Sequence, residues 1–125
     1  MHKILIVDDD PLTAKIYRDF LERSSFEVQT VADGVQALAV LENSTPDAFV
    51  VDIMMPKLNG IELIKRVRAI ERFNNTPMLA YTTAFVPQLI QQTKDAGAND
   101  IFDKAKLNGP LLKSALQQYL RTGAV

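Results

Sequence analysis

Short apolar runs alternate with helical patterns five times along this chain, and that alternation most constrains what it can fold into. Residues 3–7, 48–51 and 78–82 are nearly continuous in apolar character, as in parallel strands covered on both faces. Residues 26–31 instead alternate, Phe26 and Val28 against Glu27 and Gln29, which suits an edge strand with one wetter face. A shorter run, Ile101-Phe102, is the fifth strand. Five βα units imply a parallel sheet with helices on both sides, and right-handed crossovers leave few ways to connect them. With the polar second strand at an edge, the expected fold is a doubly wound α/β domain of flavodoxin-like order 2-1-3-4-5 with five helices. That order is taken by analogy with known sheets of this kind.

The helical segments carry their own punctuation. Asp10 reads as an N-cap with Pro11 at the first helical position. Leu12, Ile16 and Phe20, with Tyr17 and Leu21, form the expected buried stripe of the first helix. Asp33-Gly34 is a turn and cap, followed by Val35, Leu38 and Leu41 at helical spacing. Gly60 opens the third helix, with Leu63, Ile64, Val67 and Ile70 inward. Val86, Leu89, Ile90 and Thr93 mark a fourth helix, closed by Gly97 as a left-handed C-cap. Residues 110–120 give the last, with Leu112, Leu116, Tyr119 and Leu120 on one face. The domain is expected to span residues 1–121, leaving 122–125 as a tail or the start of a linker.

Composition narrows the function classes. At 125 residues the chain can bury a substantial core as one domain. The formal net charge of -1 argues against a dedicated nucleic-acid binder. There is no cysteine, hence no disulfide framework and no thiolate metal site. The N-terminal apolar run is too short for a signal-peptide core, and no stretch approaches the roughly 18 apolar residues of a membrane span. The default expectation is a cytoplasmic protein without direct membrane contact.

The chemistry gathers where the strands end. The first strand runs into Asp8 and Asp9, the third into Asp52, the fourth ends at Thr82, and the fifth leads to Lys104. In a parallel sheet all carboxyl ends share one edge. The first and third strands are neighbours at the switch point, where open α/β sheets place their ligands. Three carboxylates would then meet, and two at 4 Å repel by about 4 kcal/mol at an effective dielectric of about 20. Either one takes a proton or a cation sits among them. Oxygen-only ligands in a hydrated pocket favour Mg²⁺. A carboxylate nucleophile, a divalent metal, an ammonium and a hydroxyl donor together suit acceptance of a phosphoryl group as an acyl phosphate.

These residues carry a resemblance that covers nearly the whole chain. Val7-Asp8-Asp9-Asp10, Ala32-Asp33-Gly34, the segment from Asp52 to Leu63, the run from Pro77 to Thr82, Ala96-Gly97-Ala98 and Lys104 together resemble a response regulator receiver domain of two-component signalling. The resemblance implies that Asp52 is the phosphoacceptor. It implies that Asp9, the Asp52 carboxylate and the Met54 main-chain carbonyl bind Mg²⁺ directly, with Asp8 acting mostly through water, and that Thr82 and Lys104 contact the phosphoryl oxygens. The implied donor is a histidine kinase or a histidine phosphotransfer protein. The implied output surface is the fourth helix, fifth strand and fifth helix, acting on a downstream protein or in a homodimer. Whether the chain stands alone or is the N-terminal piece of a longer protein is left open.

Three positions depart from the family pattern. Ala105 follows the lysine where Pro, commonly after a cis bond, is usual. A cis bond before a non-proline residue costs about 2.5–4 kcal/mol, so the Lys104–Ala105 bond is trans with a rerouted loop, or cis and strained. Ile101 replaces the usual aromatic, leaving no ring to swing inward when Thr82 moves. Thr83 stands where a smaller residue is common and is expected to narrow access. The alternative function is a pseudo-receiver, a protein-interaction module that keeps the fold without phosphotransfer. A haloacid-dehalogenase-type phosphatase would place its nucleophile at Asp8 and need a larger chain, and a mononucleotide binder would need a Gly-rich first turn.

Overall fold

A computed structural model of the chain describes residues 1–122. Five parallel strands, β1 (Lys3–Val7), β2 (Glu27–Val31), β3 (Ala48–Asp52), β4 (Met78–Thr82) and β5 (Asp100–Asp103), form one sheet in the order β2-β1-β3-β4-β5. The expected topology is the observed one. The helices are α1 (Pro11–Arg23), α2 (Gly34–Val40), α3 (Gly60–Arg68), α4 (Pro87–Ala96) and α5 (Gly109–Thr122), with a 3-10 turn at Glu71–Phe73. The last helix therefore runs one residue into the expected tail; residues 123–125 lie outside the described residues.

Period-two alternation along the central strands divides the core in two. Ile4, Ile6, Ala48, Val50, Leu79 and Tyr81 pack with α1 and α5 on one face. Leu5, Val7, Phe49, Val51, Met78 and Ala80 pack with α2, α3 and α4 on the other. Both faces of β3 and β4 are buried throughout, which accounts for their near-continuous apolar sequence. The edge strand β2 is only partly covered, as its polar alternation predicts.

The helix starts follow the sequence. Asp10, Asp33 and Asn59 cap α1, α2 and α3, each accepting a hydrogen bond from an amide of the first turn. Gly60 is required because α3 starts against the end of β3: a Cβ there would lie 2.6 Å from the Asp52 carbonyl oxygen and the Ile53 Cα. Gly97 ends α4 with φ 122, a conformation that L side chains rarely adopt.

Several of the expected apolar positions do not face the core. On α1, Leu12 and Ile16 are 66% and 56% exposed, and the buried positions are Ala14, Tyr17 and Leu21. Both sets fit a helical period; the helix rotates so that Tyr17 and Leu21 face the sheet, while Phe20 is half-buried on the flank. On α2, Val35 is exposed and Ala37 takes the inward position, with Leu41 buried just after the helix. On α4, Val86 is the exposed N-cap residue and the buried positions are Thr93 and Ala96. Ile70 lies beyond the end of α3 and is partly buried. No helix among the described residues is long and apolar enough to cross a membrane.

Candidate phosphoacceptor site

The site is built at the carboxyl ends of β1, β3, β4 and β5. Val7 pairs with Val51 across β1 and β3, so Asp8 and Asp52 follow side by side. Asp52 in turn pairs with Tyr81 across β3 and β4. Asp8, Asp9 and Asp52 each offer a carboxylate oxygen, all within 4.8 Å of one another. Asp8 and Asp52 are buried and Asp9 is exposed, so one side of the cluster opens to solvent.

Each buried acid has donors. Asp52 Oδ1 accepts from the Met54 amide at 3.1 Å, and the Lys104 ammonium donates to its Oδ2 at 3.4 Å. Asp8 Oδ1 accepts from the Asp10 amide at 2.8 Å. Its Oδ2 accepts from the Tyr81 hydroxyl and lies 3.6 Å from the Lys104 ammonium. Asp10 turns away, its carboxylate engaged by the Leu12 amide and the Thr13 hydroxyl; it is the cap that its position suggested.

The electrostatics show how crowded the acids are. Burial first, and the Asp8 charge second, push the Asp52 carboxyl up to about 6 despite the opposing pull of Lys104. Burial alone would lower the Lys104 ammonium, but the charges of Asp52 and Asp8 outweigh it and hold the group above the ordinary lysine range. One ammonium thus serves two carboxylates. The donor set is all oxygen, partly open to solvent, and carries more negative charge than Lys104 balances, which fits a hydrated Mg²⁺.

Thr82 is fully buried at the end of β4, and its carbonyl accepts from the Lys104 amide at 2.9 Å. Its hydroxyl oxygen accepts from the Ala84 amide at 3.1 Å, which turns it toward its own loop. Met54 exposes its side chain, and its amide touches Asp52. There is no cis peptide bond among the described residues, so the Lys104–Ala105 bond takes the trans alternative. Thr83 is exposed and lines an open cavity of about 460 Å³, together with Ile16, Tyr17, Lys104 and Ala105. A second open cavity of about 470 Å³ reaches Asp8 and Asp9 from the side of Lys15 and Arg18. Ile101 is buried in the core beneath α4.

Sequence reasoning missed Tyr81. Its signal was available: a phenol in an otherwise aliphatic strand, at the register position of Asp52.

Comparison with known proteins agrees with this geometry. A family model described as response regulator receiver domain matches residues 4–117. The transcriptional regulator RpaA of Synechocystis is 35% identical over 104 residues, covering 83% of this chain and 43% of that protein. The alkaline phosphatase synthesis regulator PhoP of Bacillus subtilis is 46% identical over 66 residues, covering 53% of this chain and 28% of that protein. The chain thus spans less than half the length of these relatives. Among solved structures, chemotaxis response regulator CheY4 of Vibrio cholerae superimposes with a TM-score of 0.89 at 34% identity, covering 95% of this chain and 98% of that one. The receiver domain of sensor histidine kinase PA1611 of Pseudomonas aeruginosa, with a magnesium ion coordinated in its active-site cleft, gives 0.87 at 28% identity, covering 96% and 98%.

Proposed function

Because the chain belongs to the response regulator receiver family, we propose that it is a phosphorylatable switch that takes a phosphoryl group onto Asp52 from the phosphohistidine of a histidine kinase or histidine phosphotransfer protein. One observation supports this most: Asp52 is a buried carboxylate at the end of a central strand, with an ammonium at 3.4 Å and two further acids in reach. An oxygen of Asp52 bonds to phosphorus as the phosphorus–nitrogen bond of the donor breaks, and that electron pair returns to the imidazole, which takes up a proton.

Lys104 stays by the transferred group as its charge moves from Asp52 to the phosphoryl oxygens. Thr82, whose hydroxyl oxygen accepts from the Ala84 amide, keeps its own proton free to donate to a phosphoryl oxygen. Asp9, the Asp52 carboxylate and the Met54 carbonyl would hold Mg²⁺, with Asp8 acting mostly through water. When bound, Mg²⁺ supplies positive charge to the transferring oxygens and relieves the repulsion among the acids. The same pocket assists later hydrolysis of the acyl phosphate. The exposed Leu12 and Ile16, on the helix beside the Lys104 cavity, give the donor protein an apolar edge to approach.

Output runs through the face of α4, β5 and α5 to a protein partner or a second copy. Phosphorylation replaces a carboxylate by a phosphoryl group of charge roughly -1.5 to -2. Incubation with Mg²⁺ and acetyl phosphate, followed by intact-mass measurement, is expected to show one phosphoryl adduct that Asp52→Asn abolishes. No adduct on the wild type overturns the assignment and leaves an interaction module without phosphotransfer, whereas an adduct surviving on Asp52→Asn overturns it by putting the phosphoryl group on another residue.

A further inference from the structure

Tyr81 is 0% exposed, so its hydroxyl is a polar group placed where phenylalanine would fill the same space without desolvation. The hydroxyl donates to Asp8 Oδ2. The ring lies under Lys104, whose ammonium stands 5.3 Å from its centroid, within cation–π range. On the other side the ring leans on Tyr17, centroids 5.8 Å apart at 44°.

Tyr81 therefore contacts both an acid and the ammonium of the site, and its hydroxyl donates to the Asp8 oxygen that faces Lys104. Asp8 has no freedom to turn: the Asp10 amide holds one oxygen and Tyr81 the other. We propose that Tyr81 is a positioning residue for divalent-cation binding, fixing Asp8 in the orientation from which it receives the hydrated cation and reporting the cation's arrival through its own hydroxyl. This rests on the proposed Mg²⁺ role of the acidic pocket and adds a residue to it. A purely structural tyrosine would fill space and be indifferent to the cation; this one shares an oxygen with the site.

The chain has three tyrosines and no tryptophan, which makes the test direct. Mg²⁺ is titrated into wild type, Tyr81→Phe and Tyr119→Phe, with affinity read by calorimetry and the phenol by tyrosine fluorescence. Wild type and Tyr119→Phe are expected to bind alike with a change in tyrosine emission. Tyr81→Phe is expected to bind about tenfold more weakly, the scale typical of lost outer-shell partners, with the emission change gone. Equal affinity in Tyr81→Phe, or an unchanged emission response, overturns the proposal while leaving Mg²⁺ binding intact. Failure of the wild type to bind Mg²⁺ sinks the underlying metal assignment instead. Should Tyr81→Phe not fold, the buried Tyr81 hydroxyl proton in the wild-type NMR spectrum decides: it must shift on Mg²⁺ saturation, and an unmoved resonance counts against the proposal.

Discussion

Asp52 is stabilised less than its surroundings demand. A folded-state pKa of about 6, against 3.8 for the free group, means that the folded protein holds the Asp52 proton more tightly than the unfolded chain does. Stability from this group is then fully present below pH 4 and is lost as pH rises through 6. The difference corresponds to about 3 kcal/mol at neutral pH, reduced to on the order of 2 kcal/mol by the solvent that screens this partly open site. Asn at the same position cannot ionise. In chelator, Asp52→Asn is expected to be more stable than wild type at pH 7 and to converge with it near pH 4, as read by urea unfolding. A constant offset at both pH values would contradict the raised pKa. The site thus gives up stability to keep a carboxylate where the proposed phosphoryl transfer needs one. Lys104 cannot remove that cost alone, because it is shared between Asp52 at 3.4 Å and Asp8 at 3.6 Å.

The elements that present these residues are tied together away from the site, above all by Arg68 at the end of α3. Its guanidinium donates to the carbonyls of Phe73 and Thr76 at 2.7 Å, of Gly97 at 2.9 Å and to the Asn99 side chain at 2.9 Å. Asn99 also accepts from the Met78 amide at 2.8 Å, where β4 begins. One side chain so joins the end of α3, the approach to β4 and the close of α4. Gly97 leaves room for it, since a Cβ there would meet Arg68 Cγ at 2.6 Å. Arg68→Ala is expected to lower stability by about 3–5 kcal/mol, because several acceptors lose a charged donor together. Arg68→Lys should recover less than half, as a single ammonium cannot span the same fork of acceptors. An Arg68→Ala protein unfolding at the wild-type urea concentration would show the network to be dispensable. By contrast, the start of α4 is loosely held: Val86 provides no side-chain cap, and both it and Phe85 are exposed.

At the scale of the molecule, that contrast between a firm α4 end and a loose α4 start sets the expected path of the switch. When a phosphoryl mimic draws the Thr82 hydroxyl away from the Ala84 amide, residues 83–86 and the first turn of α4 lose an anchor. Beryllofluoride with Mg²⁺ should therefore move amide resonances along that loop, α4 and β5, even though Ile101 has no ring to swing. Changes confined to the immediate neighbours of Asp52 would mean that the signal stops at the pocket. Much of this molecule was legible in one dimension. Strand and helix alternation has short periods, and caps such as Asp10 and Asn59 act within one turn. Acids that end parallel strands must also meet at one edge, whatever the packing details. Local chemistry therefore determined the parallel sheet and the gathering of Asp8, Asp9, Asp52, Thr82 and Lys104 at one edge of it, while the strand order came by analogy. The tertiary structure decided what depends on distant partners. It chose which of two equally periodic stripes of α1 turns inward, let Arg68 gather acceptors from the segments before β4 and after α4, and brought the Tyr81 hydroxyl to Asp8 across 73 positions of sequence. Periodicity cannot reveal those contacts, because burial selects among rotations and pairings that the sequence leaves equally plausible.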